Sequence, residues 1–76
     1  MKKEDIKAIV KMTEDETSKA LIVIDNELKC RVRIYRKEVD DWVLASNNDT
    51  PYYSLQEAII QCSELYQEIF HKPVKV

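Results

Sequence analysis

Along this chain, apolar positions recur first at helical spacing, then without interruption, then at every second residue, and finally at helical spacing again. Ile6, Ile9, Val10, Thr13 and Thr17 fall at helical spacing, with Lys7, Lys11, Glu14 and Asp15 on the other sides, which predicts an amphipathic helix. The run T-E-D-E-T-S ends it in a loop. Residues 20–25 (ALIVID) are continuous and β-branched and predict a strand. Asp25-Asn26-Glu27 follows as a turn, in which Asn26 is the residue that accepts a left-handed conformation most cheaply. Residues 28–36 alternate with period two, Lys37 to Asp40 make a charged connection, and residues 41–46 (DWVLAS) predict a third, shorter strand. Links this short imply an antiparallel meander with residues 28–36 in the middle.

After the loop S-N-N-D-T-P, Ser54-Leu55-Gln56-Glu57 forms a capping box. The helix it opens runs to about Phe70, with Leu55, Ala58, Ile59, Cys62, Leu65, Tyr66, Ile69 and Phe70 in one broad stripe. Pro73 stops it, and His71 and Lys72 sit where a cation suits the helix dipole. The expected architecture is a small α+β domain spanning residues 1–76. It is an αβββα two-layer sandwich, a three-stranded antiparallel meander with two helices on one face and the other face open.

With 76 residues, 45% of them hydrophobic and 34% charged, the chain is an ordinary globular composition near the small end of what folds alone. Its net charge of −2 conceals a pattern. Residues 1–17 carry net −1, residues 18–39 net +3 and residues 40–76 net −4. Overall acidity argues against a dedicated polyanion binder, because phosphate contacts supply most non-specific affinity. MKKEDIK mixes acids with its lysines and precedes no apolar h-region. The longest aliphatic run, residues 20–24, falls far short of the roughly 20 residues that span a bilayer. Both features lead us to expect a cytoplasmic protein with no membrane contact, its two cysteines reduced.

The chain has no glycine, which excludes the glycine-rich loops that close backbone amides around a phosphate. Cys30, Cys62 and His71 form no metal-binding spacing, and both cysteines fall on rows expected to face the core. Cys62 and His71 lie nine residues apart, about 900° around one helix and so on opposite sides. The carboxylates come as Asp40-Asp41 and Glu14-Asp15-Glu16, adjacent residues that diverge on turns. We expect no catalysis, no cofactor and no metal.

The stretch K-C-R-V-R-I-Y-R (29–36) splits into an apolar row, Cys30, Val32 and Ile34, and a basic-aromatic row, Lys29, Arg31, Arg33 and Tyr35. If the apolar row faces the helices, the other row lines the open face. Both flanking strands are apolar on both of their rows, so they set aliphatic residues, and Trp42, among those arginines. Mixed arginine, aromatic and aliphatic patches are enriched at the centres of protein interfaces, unless segments such as K-P-V-K-V fold over them. Arg31, Arg33, Tyr35 and Trp42 are thus the expected partner-binding residues. Ile60, about 140° from the middle of the helix stripe and among glutamates and glutamines, is a further candidate. The expected role is an inhibitor or regulator that binds another protein, with homodimerisation through the same face as a variant.

The order helix, three strands, helix resembles the topology of the double-stranded-RNA-binding domain, which implies a nucleic-acid-binding alternative using the same arginines. That family opens its second helix with a lysine-rich phosphate clamp and probes the minor groove with its first inter-strand loop. Here Ser54-Leu55-Gln56-Glu57-Ala58 and Asp25-Asn26-Glu27 stand in those places, and neither motif carries over. D-T-P-Y-Y-S-L-Q-E-A-I is similar to the start of the last helix in small HicB-type antitoxins. In size, charge and mixed α/β build the chain also resembles small acidic proteins of phages and mobile elements, among them inhibitors of CRISPR nucleases.

Overall fold

In the computed structural model, which describes residues 6–46 and 49–74, one antiparallel sheet is followed by one helix. The strands are β1 (Ile6–Glu14), β2 (Ser18–Asp25), β3 (Cys30–Glu38) and β4 (Asp41–Leu44), and the helix α1 is Leu55–Phe70. Strand order is β1-β2-β3-β4, so every neighbour in sequence is a neighbour in the sheet. The α+β class, the three expected strands and the capped C-terminal helix are present. The expected N-terminal helix is not: residues 6–14 form an edge strand, so one helix, not two, covers the sheet.

The reason lies in two bulges. Along β1, Ile6 opposes Asp25 but Ala8 opposes Ile24, and Lys11 opposes Leu21 but Thr13 opposes Ala20, so an extra residue enters the strand at each place. Each insertion turns a spacing of two into a spacing of three. Ile6 and Ile9 therefore share the open face, and Val10 and Thr13 share the helix-covered face, at intervals that imitate a helix. The topological likeness to the double-stranded-RNA-binding domain required that first helix and goes with it.

The helix covers β2 and β3. Ala58, Cys62 and Tyr66, four residues apart, put one buried line against Ala20, Ile22, Cys30, Val32 and Ile34. Tyr66 and Phe70 meet in a tilted contact with 4.9 Å between ring centroids, and Val74 joins the edge of this core. Val74 thus lies on the helix side of the sheet and does not cover the open face; Lys75 and Val76 lie outside the described residues. Ser54 caps the helix, its Oγ accepting from the Glu57 amide at 3.0 Å. His71 closes the other end at φ 58°, its amide donating to the Gln67 carbonyl at 2.7 Å. Lys72, expected to act on the helix dipole, instead ion-pairs with Asp15 at 2.8 Å.

Without glycine, ordinary residues take the left-handed positions: Leu28 (φ 64°), Val39 (φ 56°) and His71. In the β2–β3 turn that position falls to Leu28 and not to Asn26, because Asp25 Oδ1 accepts from both the Glu27 and Lys29 amides and fixes the loop around itself. No helix among the described residues is long and apolar enough to cross a membrane.

Candidate functional site: the open sheet face

Residues opposite one another in a sheet share a face, so the register assigns the uncovered side. Ile9 opposes Val23 and Lys11 opposes Leu21. Val23 opposes Arg31, Leu21 opposes Arg33, and Lys19 opposes Tyr35. Tyr35 opposes Leu44 and Lys37 opposes Trp42. Arg31, Arg33, Tyr35 and Trp42 therefore lie together, on the side away from α1. Ile60 does not join them: it stands 56% exposed on the outer side of the helix, in the other layer.

The face has two chemically distinct ends. At one, Arg31 Nη1 donates to Asp25 Oδ2 at 2.9 Å, and Arg33 Nη2 lies 2.9 Å from Asp49 Oδ1, which also stands 3.7 Å from Arg31 Nε. The guanidiniums lie low, with side-chain exposures of 26% and 16%. The carboxylates fix where the two guanidiniums sit, on the strand positions that oppose Val23 and Leu21. The Asp25 carboxyl sits below its usual range because the Lys29 amide and the Arg31 guanidinium favour its charged form against the opposing effect of burial.

At the other end, the lysines contact aromatic rings. Lys19 Nζ lies 5.2 Å from the Tyr35 ring centroid and 4.7 Å from that of Trp42, while Lys37 Nζ lies 4.8 Å from Trp42. Neither lysine makes an ion pair among the described residues. Contacts of this kind are worth about 0.5–1 kcal/mol at exposed sites, enough to orient an ammonium without neutralising it. Next to this cluster an open hollow of about 630 Å³ is lined by Lys11, Glu14, Asp15, Glu16, Lys37 and Trp42. Around both ends run exposed apolar residues, with Ile6, Ile9 and Leu44 each close to half exposed.

The cysteines belong to the opposite side. Cys30 and Cys62 are both buried free thiols in the core, and burial pushes the Cys62 thiol up to about 11. His71 is exposed beyond the end of α1.

Alternation predicted the shared face of Arg31, Arg33 and Tyr35. Lys19 and Lys37 escaped it because each lies just beyond the strand limits that the pattern gave: β2 starts at Ser18 and β3 ends at Glu38. Asp49 carried no signal, since a loop carboxylate reaches the sheet only through the fold. No protein family, curated protein or solved structure matches the chain.

Proposed function

We propose that this protein is an interaction module that binds another protein through its open sheet face and acts as an inhibitor or regulator of that partner. The observation that carries the reading is the composition of that face. Two guanidiniums, Tyr35, Trp42 and half-exposed aliphatic residues form one uncovered surface on a domain whose other sheet face packs its two middle strands against the helix. Aromatic and arginine anchors ringed by apolar area are what the energetic centres of protein interfaces contain. The pairing of Arg31 and Arg33 with Asp25 and Asp49 favours a protein over a polyanion, because guanidiniums that already hold carboxylates have less charge to give to phosphates.

The test is capture from a nuclease-treated lysate of the source organism at moderate salt, with the chain and with a variant carrying Arg31→Ser, Arg33→Ser and Tyr35→Ser. One protein enriched by the first and lost by the second supports the reading. If the same protein is retained by the variant, the sheet face is not the binding surface. If binding disappears with nuclease treatment and falls steeply with salt, the ligand is a nucleic acid.

A further inference from the structure

Among the described residues, each layer of this domain carries some charged side chains without an ion pair, acidic on the helix and basic on the sheet. On the outer side of α1, Glu57, Glu64 and Glu68 make no side-chain ion pair among the described residues, and Ile60 stands exposed between the first two. At 100° per residue these four positions fall on one stripe. On the open sheet face, Lys19 and Lys37 are held by Trp42 without a carboxylate, beside exposed Leu44 and half-buried Leu21.

We infer that the outer stripe of α1 from one copy docks on the open sheet face of a second copy. The inference rests on the reading of that face as a protein-binding surface and names one occupant for it. The lengths agree: Glu57 to Glu68 spans about 17 Å of helix, and Arg31 to Lys37 spans about 20 Å of strand. Docking sets Ile60 against Leu21 and Leu44 and brings glutamates to Lys19 and Lys37, repeating on the bare face the helix-on-sheet packing already present on the covered one. A face-to-face dimer is disfavoured by charge where it would bring Lys19 and Lys37 toward their own copies. The helix-to-sheet contact is head-to-tail, so each added copy leaves one stripe and one face open, and assembly grows with concentration.

Sedimentation equilibrium of the full chain at low ionic strength tests this, with emission from Trp42, the single tryptophan, as the second readout. The weight-average mass is expected to rise about twofold or more above the 9.0 kDa of one chain as concentration increases, with a blue shift of Trp42 emission. Two charge-reversed variants complete the design: Lys19→Glu with Lys37→Glu, and Glu57→Lys with Glu64→Lys and Glu68→Lys, each checked for native circular dichroism. Each alone is expected to stay single, and an equimolar mixture to assemble again, because each then meets its complement. A chain that is single at every concentration overturns the inference. So does association that survives both reversals, which would place the contact elsewhere, such as the β1 edge, and so does a mixture that fails to assemble. A single-copy chain that still captures another protein through Arg31, Arg33 and Tyr35 removes the self-contact and leaves the proposed function standing. A single-copy chain that instead binds a single-stranded DNA oligonucleotide with steep salt dependence removes both.

Discussion

The hydroxyl of Tyr66, on the buried line of α1, lies 2.5 Å from Oγ of Ser18 at the start of β2. Ser18 Oγ is also 3.1 Å from Asp15 Oδ1, and because an ionised carboxylate only accepts, the direction of the chain is fixed: Tyr66 donates to Ser18, and Ser18 donates to Asp15. Lys72 Nζ reaches the other oxygen of the same carboxylate at 2.8 Å. One polar thread thus ties the β1–β2 turn, the sheet, the helix and the segment beyond it.

The direction of that thread makes its two ends unequal. Ser18→Ala strands the buried Tyr66 hydroxyl without an acceptor and is expected to cost about 1–3 kcal/mol, whereas Tyr66→Phe removes the donor, leaves Ser18 its bond to Asp15, and costs about 1 kcal/mol. Urea unfolding of both single variants and of the double variant checks this. The double variant should cost less than the two singles added together.

Asp15 also gives stability a dependence on acid. The Lys72 ammonium, with the Thr17 and Ser18 amides, holds its carboxyl well below the ordinary value of 3.8. A lowered folded-state pKa stabilises fully above the unfolded value and progressively less as pH falls below it. Lys72 is raised by the same contact with Asp15, so its contribution persists below its ordinary 10.5 and fades only at higher pH. The urea midpoint is therefore expected to hold through neutral pH and to drop on the acid side. Asp15→Asn should be less stable than the parent at pH 7, with the difference shrinking as pH approaches 3.8 and falls below it.

Val39 is 96% exposed and left-handed, a β-branched residue in a position that glycine would take at no steric cost. Relief of about 1–2 kcal/mol of backbone strain, less the greater freedom glycine gains in the unfolded chain, leaves Val39→Gly more stable by about 0.5–1 kcal/mol. Val39→Ala keeps a Cβ and should gain nothing comparable. Thermal unfolding of the pair separates relief of strain from loss of an exposed side chain.

The buried thiols are expected to be silent in the native state. Cys62, pushed up to about 11, stays protonated at neutral pH, and both cysteines are shielded by the core. A colorimetric thiol reagent should react with neither in the folded protein and with both in denaturant. Fast labelling of the native chain would mean that α1 opens from the sheet far more readily than its packing implies.

What the chain disclosed in advance was what period alone carries. β3 alternates cleanly because it pairs with β2 without a register shift from Cys30 to Arg36, and α1 keeps its stripe because Ala58, Cys62 and Tyr66 meet one continuous sheet surface. β1 was illegible for a definite reason: the bulges at Lys7 and Met12 shift its phase twice within nine residues, and a strand with a slipped phase counts like a helix. The site was half legible. Parity gave the face of Arg31, Arg33 and Tyr35, but the lysines on Trp42 and the Asp49 carboxylate depend on pairings between distant segments that no local pattern encodes.

Arg33 has a role on its strand besides its place on the face. The outer edge of β3 is paired at Cys30, which exchanges both backbone bonds with Tyr52, and again from Ile34, whose carbonyl accepts from Ala45. By alternation Val32 points its backbone outward between them, and Arg33 Nη1 donates to the Val32 carbonyl at 3.3 Å. The guanidinium plugs a notch one residue wide where a foreign strand would otherwise find an acceptor. Shortening it to serine unplugs that notch, so the variant used to probe binding should also be watched for slow, concentration-dependent aggregation.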